Sequence, residues 1–527
     1  MNKIENIVIV GGGTAGWMSA TTLISQFPDK KVTLIESPDI SVVGVGESTV
    51  GGINNWMQLV GIEGHEFMPH TDSTYKLSIS FEDFYRKGSG RFHYPFGQVH
   101  TEGNKAQLND WYFKKILHPD TPVSDYAECI FPSMALVTQN KISKNEKETL
   151  PNFDFLKNTA YQFDAVKFGL WLKEHYCLPK GVNHILAEVK EAPVGDDGVE
   201  HLVLDDGRQI SADLFIDCTG FNALLIGGAL KEPFESYSHI LPNNSAWATK
   251  IPYQDKEKEL VNYTNCTAIA NGWVWSIPLW SRMGCGYVYS NRFIPDEKAL
   301  VEFKEHLTTK GYKDVESLEY NHIPMRVGAH TRPWVKNVCA IGMSAGFIEP
   351  LESLGLYTVH EFLFSLVRTL QRGRISQWDR DTFNATCRNQ YNSGAEFIAL
   401  HYALSHRDDS EYWREISTRE FAPELMKQGI DSRPFTNQFI TAVFDKVQEY
   451  HFRPDGGLHC IATGMNWFPT DIPSVIYGNC NKDFYIKIKD EFEPFVKRLD
   501  ERKNQWQQIV KDCPSHYQFL KENFNYK

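Results

Sequence analysis

The first forty residues constrain the fold more than any other stretch. Asn6-Ile7-Val8-Ile9-Val10 is a short apolar run suited to a buried parallel strand. Gly11-Gly12-Gly13-Thr14-Ala15-Gly16 follows at once, Thr14 to Leu23 has helical composition, and Lys31-Val32-Thr33-Leu34-Ile35-Glu36 reads as a second strand ending in an acid. This is the order of a dinucleotide-binding βαβ unit. Gly11, Gly13 and Gly16, with Thr14 and Ala15 at the helix start, let backbone amides and the helix N-terminus approach a pyrophosphate, and Glu36 can accept from a ribose hydroxyl. A lone glycine triplet would be a weak sign; the ordered set is a strong one.

Two later segments extend the same domain. Ala212-Asp213-Leu214-Phe215-Ile216-Asp217-Cys218-Thr219-Gly220 reads as a strand ending in a Thr-Gly turn, after the hairpin-like Asp205-Asp206-Gly207. It resembles the late strand that completes the FAD domain of many flavoproteins. Asn337 to Gly346 is another strand running into small residues. No second glycine fingerprint occurs, so one dinucleotide site is expected, with no NADPH domain and electrons arriving from elsewhere.

The expected fold class is α/β: an FAD-binding Rossmann-type domain with an inserted β-sheet substrate region and a mostly helical C-terminal part. Residues 1–370 form a discontinuous core, with insertions at about 51–154 and 221–324. Residues 371–527 complete the substrate pocket as part of the same unit. The charged stretch Lys482 to Gln508 reads as a solvated helical face.

Gly272-Trp273-Val274-Trp275-Ser276-Ile277-Pro278 places two tryptophans two residues apart. In an extended strand they share a face and present a broad, flat apolar wall whose indole N–H groups each want a partner. For such a pair standing alone, a core role in a sheet is the better account.

Composition narrows the function. A formal net charge of −12 argues against nucleic acid or an anionic membrane as partner. Ten cysteines without a CxxC pair, and no apparent secretory leader, point to a reducing cytoplasm and no zinc or other metal site. No apolar run reaches membrane-spanning length.

Together, the glycine motif, Trp-x-Trp-x-Ile-Pro, Gly46-Glu47-Ser48-Thr49 and Phe347-Ile348-Glu349-Pro350-Leu351-Glu352-Ser353-Leu354-Gly355 resemble the flavin-dependent halogenases of the tryptophan halogenase type. The matches run to about residue 415. The resemblance implies FAD, delivered as FADH2 by a separate flavin reductase, and a halide ion. Ser48, Thr49, Val189, Gly342, Met343 and Leu356 join the cofactor set, and the backbone amides of Leu354 and Gly355 hold the halide. Lys76, in the alternating segment Ser73 to Phe81, matches the essential lysine. Its N–H groups can polarise hypohalous acid, or its neutral amine can form a haloamine if burial favours that form. Taken alone, Lys76 could be an ordinary solvent-facing lysine and Glu352 a helix-end acid. The resemblance makes Glu352 the residue that orients the halogenating species or accepts the ring proton, with Glu349 a nearby decoy. Trp273 and Trp275 become a barrier between flavin and substrate.

Departures from the tryptophan enzymes bear on the substrate. Thr441 to His459 lacks the Tyr-Tyr pair that holds an amino acid, Phe452-Arg453-Pro454-Asp455-Gly456-Gly457 replaces the usual aromatic pair and its sequel, and His-Pro-Phe reads His93-Tyr94-Pro95-Phe96. Tyr94, Phe96 and Phe452 are stacking candidates. A free indole- or phenol-type substrate is expected, with bromide or iodide used at least as well as chloride because Leu354 replaces threonine, and a homo-oligomeric state. An FAD-dependent aromatic hydroxylase and a non-catalytic flavin-binding protein are the competing readings.

Overall fold

The computed structural model describes residues 4–38, 46–99, 111, 114–115, 117–143, 150–418, 457–467, 482–524 and 526. Strand Asn6–Val10 is buried along four of its five residues and lies at the centre of a six-stranded sheet. It pairs in parallel with Lys31–Glu36 on one side and Leu214–Asp217 on the other. Asn183–Leu186 and Val338–Ala340 extend the sheet in parallel, and Trp334–Val335 closes one edge antiparallel. Leu214–Asp217 and Val338–Ala340 lie in the two later segments read as strands above, whereas Asn183–Leu186 and Trp334–Val335 are additional strands that the structure adds.

Gly11 is what lets the first strand turn. Its φ of +113° lies in the region that side chains disfavour, and a Cβ there would run into the carbonyl of Cys218. Helix Thr14–Gln26 starts two residues later from Gly13 and buries Trp17, Met18, Ala20 and Leu23 against the sheet. Each such side chain stabilises the packing by roughly 1.5–3 kcal/mol.

The inserted segments build a seven-stranded sheet in the order Tyr320–Pro324, Ser245–Ile251, Met283–Tyr289, Gly272–Pro278, Tyr263–Ile269, Ser78–Glu82, Arg91–Pro95. A small sheet of Gly46–Ser48, Ala160–Asp164 and Thr74–Lys76 stands beside it. The sequence reads Ser73 to Phe81 as one alternating strand, but the chain changes sheets at Leu77. Leu77 donates its N–H to the Asn262 carbonyl and accepts from Phe96 N–H, each at 2.7 Å. Because both faces are covered, Thr74 through Phe81 are all buried, and polar–apolar alternation there does not mark a solvent face.

Helix Gly355–Leu370 packs against helix Thr14–Gln26 and against Gln377–Ala403, which reaches the edge strand Trp334–Val335. Helix Lys482–Ile509 is not solvated all round. Val496, Leu499, Arg502 and Trp506 are buried, and Lys503 pairs with Asp125 at 2.7 Å. The last helix, His516–Asn523, buttresses Tyr75 on the strand that carries Lys76. His516 Nε2 accepts from the Tyr75 N–H at 3.1 Å, and burial holds its imidazole neutral, pushed down to about 3. All nine described cysteines are free thiols.

Candidate active site

At the C-terminal ends of the central strands lies a cavity of about 490 Å³, the position where open α/β sheets bind ligands. Gly11 to Ala15 form one end, Glu36 and Val189 one side, and Cys218 to Phe221 another. Gly342, Met343 and Leu354 to Leu356 close it. Glu36 is held by Lys173 Nζ and His184 Nε2, both at 2.8 Å, which leaves its carboxylate fixed in the wall. A Cβ on Gly12 would strike that carboxylate, whereas one on Gly13 would meet nothing within 4 Å, so the glycine backbone itself faces the space. Buried Asp217 accepts from the N–H groups of Thr219, Leu225 and Ile226 at 3.0, 2.8 and 2.9 Å and so shapes the second turn. A backbone cradle at a helix start with an acid on the second strand fits a dinucleotide of the FAD type.

Of the cofactor residues expected from sequence, Gly16, Ser48 and Thr49 do not line this cavity. Gly16 lies against the carbonyl of Gly11, where it allows helix and strand to close up. Ser48 faces the other way, 2.6 Å from Thr264 Oγ1, and Thr49 Oγ1 donates to the Tyr161 carbonyl at 2.8 Å. Glu47, between Gly46 and Ser48, does line the cavity, and burial pushes its carboxyl up to about 7. It went unnoticed in the sequence because Gly-Glu-Ser-Thr carries no spacing that separates one side of a three-residue strand from the other.

Beyond this wall is a second, closed constellation. Lys76 has no exposed surface; its Nζ donates to the Thr49 carbonyl at 2.9 Å and to Ser353 Oγ at 2.8 Å, and it sits 5.1 Å from the centre of the Phe96 ring. Ser353, held at φ +58° between two turns, passes the contact on to Ser48 Oγ at 3.3 Å. Glu352 is equally buried and lies 2.9 Å from His401 Nε2. Cys266 lies in the field of both Lys76 and Glu352, while burial pushes its thiol up. Glu349 belongs to a different network: it accepts from Asn243 Nδ2 at 2.7 Å and from Tyr402 OH at 2.5 Å, and burial raises it to about 7. One turn therefore serves both regions. Ser353 touches Lys76, while Leu354, Gly355 and Leu356 line the cofactor cavity.

Trp273 and Trp275 do not line that cavity. Their rings are 6.2 Å apart and tilted by 59°, so they form an angled pair rather than a flat wall. Trp275 lies over Gly286, where a Cβ would collide with the ring, and Trp273 Nε1 has no hydrogen-bond partner among the described residues. Trp275 is in register with Cys266, whose Sγ is 3.8 Å from the Leu351 carbonyl, which ties this strand to the Glu352 turn. Tyr94 is fully buried against Gly457 and Phe397, and Phe96 lies under Lys76. Phe452 lies outside the described residues.

Comparison with known proteins agrees with this layout. The family model described as tryptophan halogenase matches residues 6–473. The tryptophan 6-halogenase SttH of Streptomyces toxytricini is 34% identical over 448 residues, covering 81% of this chain and 83% of that protein. The 7-chloro-L-tryptophan 6-halogenase KtzR of Kutzneria sp. (strain 744) is 31% identical over 539 residues, covering 98% of each. Among solved structures, VirX1 in its apo form superposes with a TM-score of 0.88 at 36% identity, covering 99% of this chain and 100% of that one. With the glycine cradle, the fixed Glu36 and the buried Lys76 and Glu352 in place, the chain belongs to the tryptophan halogenase family, FAD-dependent oxidoreductases that use halide.

Proposed function

We propose that this protein halogenates a free, electron-rich aromatic or heteroaromatic ring of the indole or phenol type, with Lys76 delivering the halogen and Glu352 taking the ring proton. The observation that carries the reading is the turn Glu352 to Leu356, whose one end contacts Lys76 and whose other end lines the cofactor cavity. Gly11 to Ala15, Glu36, Val189, Gly342 and Met343 would hold FAD. Bound in reduced form, it supplies with oxygen the oxidising power that turns halide into hypohalous acid.

The remaining work falls to the side chains. The amides of Leu354 and Gly355, at the start of helix Gly355–Leu370, suit a halide because a helix N-terminus collects an anion without a charged side chain. The Lys76 ammonium hydrogen-bonds the oxygen of hypohalous acid, which makes the halogen more electrophilic, and gives that oxygen the proton with which it leaves as water. Glu352 accepts the proton lost from the ring carbon. Trp273 and Trp275 would stand between flavin and substrate, so that the ring meets hypohalous acid at Lys76 rather than the flavin itself. A flavin reductase supplies electrons, since one dinucleotide fingerprint is present.

No Tyr-Tyr clamp for an amino acid's carboxylate and ammonium stands in this sequence. Simple indoles or phenols should therefore exceed free tryptophan in kcat/KM, because without that clamp the amino acid's charged groups bring no binding energy to offset their desolvation. The test supplies reduced FAD, oxygen and bromide to the enzyme with indole, a phenol or tryptophan, and reads product mass. Brominated indole or phenol is expected. Hydroxylated product, no product, or strong preference for tryptophan overturns the reading.

A further inference from the structure

Halogenation as proposed gives no task to one acid of the cofactor cavity. Glu47 is the middle residue of strand Gly46–Ser48, which pairs with Ala160–Asp164 so that Glu47 stands opposite Phe163. Its two strand neighbours turn elsewhere: Gly46 lies against Ile277 and Leu279, and Ser48 reaches Thr264. Glu47 is the one of the three that faces the cavity. A Cβ placed on Gly355 would have Glu47 Oε2 as its nearest neighbour beyond the adjoining residues, at 3.9 Å, so the carboxyl is directed at the start of helix Gly355–Leu370. Among the described residues no hydrogen bond or ion pair holds it there.

That end of the helix carries excess positive charge and no acid of its own. Leu354 offers no side-chain cap, and the first turn holds neither Asp nor Glu. The amides suited to a halide therefore face a single carboxyl, brought in from a distant strand. Ionised Glu47 and a bound halide would be two negative charges at one helix end in a buried cavity, which is strongly unfavourable. As an acid the same carboxyl repels nothing and can donate its O–H to the anion. Burial pushes it up to about 7, so both forms are populated near neutrality.

The other titratable groups around the cavity are engaged elsewhere. Glu36 is held by Lys173 and His184, Glu188 pairs with Lys190 at 2.7 Å, and Asp217 accepts from three backbone amides. The Cys218 thiol is kept neutral by burial. On the strand paired with Glu47, Asp164 is bound to Arg282 at 2.7 Å. Lys76 donates to Thr49 and Ser353 behind the turn, and Glu352 lies against His401. Along the helix, Tyr357 and His360 pack toward Gly52.

We propose that Glu47 controls entry of the halide: the anion occupies the amides of Leu354 and Gly355 only while Glu47 is in its acid form, so halide binding above neutrality takes one proton from solvent. The inference rests on the halide position in the proposed halogenation.

The experiment titrates sodium bromide into enzyme loaded with oxidised FAD, in chloride-free solution at constant ionic strength, from pH 6 to 9. Calorimetry in two buffers of different ionisation enthalpy gives both Kd and the protons taken up. For wild type, Kd should rise by about tenfold per pH unit above pH 7, with about one proton taken up per bromide. Glu47→Gln should bind bromide with one affinity across the range and take up no proton. Glu349→Gln removes the other carboxyl that burial raises to about 7 and should keep the wild-type pH dependence. A wild-type affinity that is flat with pH overturns the inference, as does a pH dependence that survives in Glu47→Gln or vanishes in Glu349→Gln instead. Should Glu47→Gln fail to fold, the wild-type proton count and Glu349→Gln decide, and a count of zero refutes the inference. No bromide bound at any pH removes the halide site and the inference with it, whereas pH-independent binding beside brominated product removes only the role of Glu47.

Discussion

The cofactor cavity and the Lys76 constellation are built by opposite means. The cavity is made largely of backbone and small residues: Gly11 to Ala15, Thr219, Gly220 and Gly342, arranged at the ends of parallel strands that lie close together. The Lys76 constellation is made of buried side chains brought from far apart: Lys76, Phe96, Ser353, Glu352 and His401. The first needs close approach and the right turn. The second needs each polar group satisfied in place, because a buried charge without a partner is costly. Substitutions should therefore separate the two, with steric ones emptying the cavity and polar ones silencing the ring chemistry.

Large effects are expected at the Gly11 turn and at Glu352. Gly11→Ala forces a Cβ into the Cys218 carbonyl at a φ of +113° and should weaken FAD binding by at least about tenfold. Flavin fluorescence titration measures it, and retained affinity would mean that the glycine cradle is not the pyrophosphate site. Glu352→Gln should slow ring halogenation by about a hundredfold with FAD affinity unchanged, as read by product mass against the same titration. Loss of both together would join the two regions rather than separate them.

Glu349 and Glu352 flank one turn but have different neighbours, Asn243 and Tyr402 for the first and His401 for the second. Burial raises Glu349 from 4.5 to about 7 in the fold. As pH climbs through this interval the unfolded chain sheds its proton first, so stability present in acid is lost on the way to pH 7, by up to roughly 3 kcal/mol. Glu47, raised in the same way, adds the same sign. His93 and His516, held down to about 3 from 6.5, act in the opposite direction and cost stability as pH falls below 6.5. Glu349→Gln should flatten the decline in Tm between pH 5 and 8 while leaving halogenation in place. A Tm profile identical to wild type would contradict this.

How much could be read beforehand follows from the same contrast. The βαβ unit was legible because periodicity, glycines and a terminal acid are all local, and the later strands at Leu214 and Val338 repeat the pattern of an apolar run into small residues. The break at Leu77 was not legible, since a chain that switches sheets while buried on both sides keeps a strand-like sequence. His401 was invisible for a related reason. It sits on a long helix among apolar neighbours, and only the fold reveals that this face meets Glu352. Lys76 and Glu352 were found through family resemblance, not through charge or periodicity, which describe an exposed lysine and a helix-end acid equally well.

The smallest effect concerns the halide. Leu354 is buried in the wall of the cavity at the start of helix Gly355–Leu370. An apolar side chain compensates poorly for the hydration chloride gives up, and bromide or iodide gives up less. Equimolar halides on one substrate should yield bromo- or iodo-product at least equal to chloro-product. Leu354→Thr should shift the ratio toward chloride by a few-fold, on the order of 1 kcal/mol. Predominantly chlorinated product from wild type would refute the preference, and an unmoved ratio in the variant would clear this side chain of responsibility.

The central claim is that oxidant is made in one region and used in the other, with Lys76 as the link. Lys76→Ala, supplied with reduced FAD, oxygen and bromide, measures it directly when a soluble scavenger for hypobromous acid and an arene are followed in parallel. The account predicts FAD affinity and scavenged hypobromous acid equal to wild type, with ring bromination lost. Ring bromination near the wild-type rate, or loss of hypobromous acid together with it, would contradict that division.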